Sequence, residues 1–62
     1  MNRIEEINRE INECYAMIDH FIALKKVNQK LPHIREKYEE EIKYWRKALQ
    51  MLKFQKRGLK NS

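Results

Sequence analysis

Apolar side chains recur at Ile4, Ile7, Ile11, Cys14, Ile18 and Phe21, in steps of three and four that draw one stripe along a helix. A second stripe runs through Ile34, Tyr38, Ile42, Trp45, Leu49 and Leu52 with the same steps. Between them lies Asn28-Gln29-Lys30-Leu31-Pro32. Pro32 has no amide hydrogen and its ring collides with a preceding helical turn, so it ends one helix and suits the first position of the next. It also pushes Leu31 out of the helical region, and Asn28 is a residue type that tolerates a left-handed cap. The pattern predicts an all-α protein, an antiparallel two-helix hairpin with helices over about residues 3–28 and 32–57. The alternative is one long helix kinked at Pro32. A link of about 2–8 residues is the usual length in helical bundles, which favours the hairpin.

Local chemistry marks both ends. Asn2 followed by Glu5 has the form of a capping box, in which the Asn side chain accepts from first-turn amides, and Glu6 adds negative charge where the helix dipole is positive. At the far end, a left-handed Gly58 just past the helix would bring Phe54 and Leu59 into the apolar contact of a Schellman motif. The expected organisation is one helical-hairpin domain over residues 1–62, with 60–62 as a frayed tail.

Each stripe is too wide for a single neighbour. Residues 14–24 are apolar at nine of eleven positions. On the second helix Tyr44, Trp45, Ala48, Leu49, Met51, Leu52 and Phe54 spread over an arc of roughly 220°, against the roughly 100° that faces one core. A hairpin of this length also has too little interior to offset the entropy of ordering its chain. Both points predict association, in its commonest closed form a two-fold homodimer whose hairpins make a four-helix bundle. The competing expectation is that the same face is kept for a larger protein. In either case the association or partner-binding residues are expected to be Tyr15, Ile18, Phe21, Leu24, Tyr44, Trp45, Leu49, Met51 and Leu52.

Composition narrows the chemistry. With 62 residues, one Gly, one Pro and one Cys, the chain has almost no turn chemistry for a sheet, no internal disulfide and no room for an enclosed active site. No apolar run approaches the roughly 20 residues that span a bilayer, and Met1 leads into Asn-Arg-Ile-Glu-Glu, which predicts a cytoplasmic protein without a membrane partner. Cys14 and His20 lie about 120° apart on a helix and form no local nucleophile pair, so Cys14 reads as a small core residue and His20 as a partly buried or interface side chain beside Asp19. His33-x-x-Glu36 reverses the Glu-x-x-His order of di-metal bundles. Neither a catalytic group nor a cofactor or metal is expected.

The net charge is +5, and its order along the chain matters more than its sum. Residues 1–24 sum to −3, residues 25–37 to +4, residues 38–42 to −3 and residues 43–62 to +7. An antiparallel hairpin is expected to set Glu5, Glu6, Glu10 and Glu13 beside Lys53, Lys56 and Arg57, and Lys25, Lys26 and Lys30 near Glu36, Glu39, Glu40 and Glu41. Acids early and bases late suit the dipole of each helix. The expected function is that of a small non-enzymatic regulator, inhibitor or adaptor that binds a larger protein stoichiometrically. The alternative is a nucleic-acid-binding helical dimer with phosphate contacts at Lys43, Arg46, Lys47, Lys53, Lys56 and Arg57.

Overall fold

The computed structural model describes residues 2–60 and is all-helical. Helix α1 covers Arg3–Val27 and helix α2 covers Pro32–Lys60, with residues 28–31 between them. They pack antiparallel as a hairpin whose extents are 48 × 16 × 11 Å. The long axis matches the length of a 29-residue helix, about 44 Å at 1.5 Å per residue, which rules out one continuous kinked helix. The short axis is the width of one helix, so the molecule is a single layer with one seam and no enclosed interior.

The caps follow from the local sequence. Asn2 is extended and its side chain accepts from the Glu5 backbone N–H at 2.9 Å, placing Glu5 and Glu6 in the first turn of α1. At the other end the Asn28 backbone N–H and side-chain amide both donate to the Leu24 carbonyl, at 3.1 and 2.8 Å. The Leu31 N–H then closes the turn onto the Asn28 carbonyl at 3.0 Å. Asn28 has φ −108°, so it does not adopt the left-handed cap that its residue type permits; its two donors to Leu24 finish the helix without it. Pro32 occupies the first position of α2, and the Arg35 N–H reaches back to the Leu31 carbonyl at 3.0 Å. The first turn of α2 contains no acid, although all four of its acids, Glu36 to Glu41, lie in its first half as expected.

The seam consists of Ile7, Ile11, Cys14 and Ile18 from α1 against Ile42 and Leu49 from α2, all buried. Phe21, Ile22, Trp45, Ala48 and Leu52 pack against it half-buried. Phe21 meets Tyr38 with ring centroids 5.9 Å apart. The stripe weakens towards the turn: Ile34, expected in the second seam, is exposed, as are Val27 and Leu31. There the chain reverses, and the α1 residues level with Ile34 are Lys25 and Lys26.

The C-terminal end departs from expectation. Helix α2 runs through Gly58 to Lys60, and no described residue has a positive φ. Phe54 is 77% exposed, so the Schellman contact with Leu59 is not made. Continuing the helix carries Leu59 to a position two turns beyond Leu52, on the same side of α2, whereas the left-handed turn would draw it back over Phe54. Lys60 of the expected tail is therefore helical, and residues 61 and 62 lie outside the described residues. Because a Cβ added at Gly58 meets nothing within 4 Å, Gly58→Ala is expected to stabilise the protein by about 0.5–1 kcal/mol through helix propensity. A left-handed Gly58 predicts the opposite sign, and urea denaturation of the two proteins separates them.

Candidate functional site

The seam fixes the rotation of both helices and so gives the hairpin two distinct flanks. On one, the Lys53 Nζ sits 5.3 Å above the Tyr15 ring. On the other, Arg3 donates to the Gln55 side chain at 3.3 Å, and Phe21 packs on Tyr38. All remaining side chains are placed by counting 100° per residue from these contacts.

The Tyr15 flank is basic. Near the turn an open groove of about 1040 Å³ lies between Ile22 and Ile42, lined by Lys25, Lys26, Lys30, Arg35, Lys43 and Arg46 and by Glu36, Glu39 and Glu40. Lys25 pairs with Glu39 at 3.0 Å, the cross-helix ion pair of the hairpin. Towards the open end a second groove of about 440 Å³ is lined by Ile11, Tyr15, Lys53, Lys56 and Arg57, with no acid. The two grooves hold nine of the 14 Lys and Arg residues against three of the nine acids. That excess of six cations exceeds the net +5 of the chain, so the rest of the molecule is net acidic.

This placement corrects the expected pairing at the open end. Among the described residues no salt bridge joins Glu5, Glu6, Glu10 or Glu13 to Lys53, Lys56 or Arg57. Glu6 pairs instead within its own helix, with Arg3 at 3.2 Å. The reason is angular: Glu6, Glu10 and Glu13 stand about 140–180° around α1 from Tyr15, whose ring lies under Lys53. Glu6, Glu10 and Glu13 are therefore on the opposite flank from the bases level with them.

The other side of α2 is uncharged. Between Tyr44 and Leu59, the positions Trp45, Leu52, Leu59, Ala48, Gln55, Tyr44 and Met51 fill a continuous sector of about 120° without one ionisable Lys, Arg, Asp or Glu. Tyr44 is 65% and Met51 59% exposed, while Trp45, Ala48 and Leu52 are half-buried at the inner edge. The rings of Tyr44 and Trp45 meet edge-to-face at 5.3 Å. The Trp45 Nε1 is out of solvent with no hydrogen-bond partner. Such a donor costs about 1–3 kcal/mol when left unpaired.

The residues expected to mediate association thus fall into three groups. Ile18 and Leu49 are buried in the seam of a single hairpin, where α1 and α2 already cover them. Phe21, Leu24, Trp45 and Leu52 are half-buried, and Tyr44 and Met51 are exposed on the uncharged sector. Tyr15 is exposed but belongs to the basic flank, under Lys53. Of the expected phosphate contacts, Lys43, Arg46, Lys53, Lys56 and Arg57 line the grooves, whereas Lys47 does not. The expected anion contacts, drawn from the basic end of α2 alone, left out Lys25, Lys26, Lys30 and Arg35. Counting around both helices, not along them, is the signal that finds them.

The remaining chemistry-bearing residues are dispersed. Cys14 is buried in the seam and His20 is exposed, its ring edge-on to Phe21 at 5.5 Å, so His20 is not the partly buried side chain anticipated. Among the described residues no group of three His, Cys, Asp or Glu is arranged to hold a metal ion, and no helix is long and apolar enough to cross a membrane. Burial pushes the Cys14 thiol above the ordinary value of 9.0, and the Glu13 and Glu10 carboxylates push it the same way. Compared with known proteins, the chain matches no family model, and neither a curated protein nor a solved structure matches it.

The raised pKa of Cys14 gives a prediction with a definite sign. The folded state holds the thiol protonated, so this contribution to stability is complete below pH 9.0 and is lost as pH rises through the folded value. Iodoacetamide should label Cys14 slowly in the native protein at pH 8 and rapidly in urea. In Cys14→Ala, the fall in stability above pH 9 should be shallower than in the parent protein. Rapid native labelling would show that the seam opens freely or that the thiol is not buried.

Proposed function

We propose that this chain is a small non-enzymatic regulator, inhibitor or adaptor that works by stoichiometric protein–protein binding, and that it pairs with a second copy of itself into a four-helix bundle. The observation that carries the reading is the uncharged sector of α2. Six Lys and Arg side chains between Lys43 and Arg57 leave this sector entirely free, although the segment contains no acid. A solvated helix face has no need of such segregation.

The sector has the composition of an anchor, with Trp45, Tyr44, Met51 and Leu52 together and the Ala48 methyl between them. A second hairpin laid on it completes the covering of Trp45 and Leu52 that α1 leaves half-done. The same knobs suit an apolar groove on a larger protein, which is how the regulator acts once bound. The basic flank stays outward in either assembly.

Sedimentation equilibrium at tens of micromolar tests the reading. The protein of 7.7 kDa is expected to sediment at twice that mass, and Met51→Glu, on the exposed sector, to return it to the single mass. Lys47→Glu, outside the sector, should leave the dimer intact. Leu49→Asp is expected to abolish helicity outright, since Leu49 is buried inside one hairpin. A parent protein that melts cooperatively as a monomer at every concentration would overturn the self-pairing.

A further inference from the structure

We infer that the basic flank binds the phosphodiester backbone of a nucleic-acid duplex, without reading its bases. The inference does not rest on the protein-binding reading above, because it uses the opposite side of the hairpin.

Three observations carry it. The first is the concentration of charge: nine Lys and Arg residues against three acids in two grooves of one flank, with one of those acids, Glu39, already tied to Lys25. The positive field of a net +5 protein is thus directed to one side, which concentrates a polyanion there and repels it elsewhere. The second is extent. The grooves follow one another along a rod 48 Å long, and Arg46 in one and Lys53 in the other are about 10 Å apart along α2, at seven residues of 1.5 Å. Open grooves of about 1040 and 440 Å³ are far larger than a single anion and suit an extended ligand. A duplex offers one negative charge per roughly 1.7 Å of axis, a density that an acidic peptide does not reach.

The third observation selects duplex over single strand. Binding of single strands depends on aromatic rings that bases can stack on. The aromatic residue lining the two grooves is Tyr15, and its ring face is taken by the Lys53 ammonium at 5.3 Å. Tyr44, on the uncharged sector, lines neither groove, and Phe54, exposed about 60° around α2 from Arg57, lies outside both as well. The grooves therefore offer cations without stacking platforms, the requirement for contacting backbone alone.

The test is fluorescence anisotropy of the full chain with 20-base-pair DNA and RNA duplexes of arbitrary sequence and with the matching single strand, at 50 and 200 mM salt. With about five phosphate contacts, affinity for either duplex should fall about 500-fold between the two salt concentrations, irrespective of sequence. Two double variants of equal net charge locate the surface. Arg46→Glu with Lys53→Glu, in the grooves, should weaken duplex binding at least tenfold and flatten the salt dependence by about two contacts. Lys37→Glu with Lys47→Glu, outside both grooves, should change affinity less than threefold. Circular dichroism checks that each variant is folded, and Arg46→Gln with Lys53→Gln replaces the first if it is not. Absence of duplex binding at 50 mM salt overturns the inference. So do equal losses in both double variants, a preference for the single strand, or displacement of the duplex by polyglutamate as effectively as by unlabelled duplex.

Discussion

The contact of Ile7, Ile11, Cys14 and Ile18 with Ile42 and Leu49 determines the rest of the molecule. A layer 11 Å thick has room for one such seam, so there is no second core to correct or share its orientation. Once the seam is dry, each helix is held at a single rotation about its own axis. Every other side chain then has a fixed place relative to it, at 100° per residue. Six buried residues make a small core among the described residues, which is why the half-buried ring around them, Phe21, Trp45 and Leu52, is where further burial has most to add.

That rotation sorts the side chains of α2 into two populations. Lys43, Arg46, Lys53 and Arg57 turn towards the Tyr15 flank, while Tyr44, Ala48, Met51 and Leu52 turn the other way. Glu6, Glu10 and Glu13 of α1 turn away from the Tyr15 flank too, so they do not neutralise its bases. If both proposals hold, a protein on one flank leaves the other open to a polyanion, and the hairpin stands between its two partners as an adaptor.

The main architectural features were legible in local residues. Asn2 ahead of Glu5 sets the start of α1, and Pro32 sets the start of α2 through its missing amide hydrogen. The stripe from Ile7 to Ile18 recurs in the buried set unchanged. Three expectations failed for different reasons. Gly58 stays helical despite its low propensity, and the helix carries Leu59 to the side occupied by Leu52. Ile34 is exposed because the α1 residues level with it, one turn beyond the Phe21–Tyr38 contact, are Lys25 and Lys26 and not apolar side chains. The Glu10–Lys53 pairing was drawn from distance along the chain, which ignores the angle around it.

The chain alone therefore determined what depends on neighbours within about four residues: the caps, the break at Pro32, and the spacing of the two stripes. The antiparallel sense also followed, since a four-residue link leaves no other direction. Tertiary structure decided which flank each charge occupies and how much of Trp45, Phe21 and Leu52 one partner helix can cover. Those quantities depend on the facing surface of another helix, and a periodic pattern describes only the helix on which it is written. The same limit separates the bases of α2 that line a groove, such as Arg46 and Lys53, from Lys47, which has the same charge and faces away from both grooves.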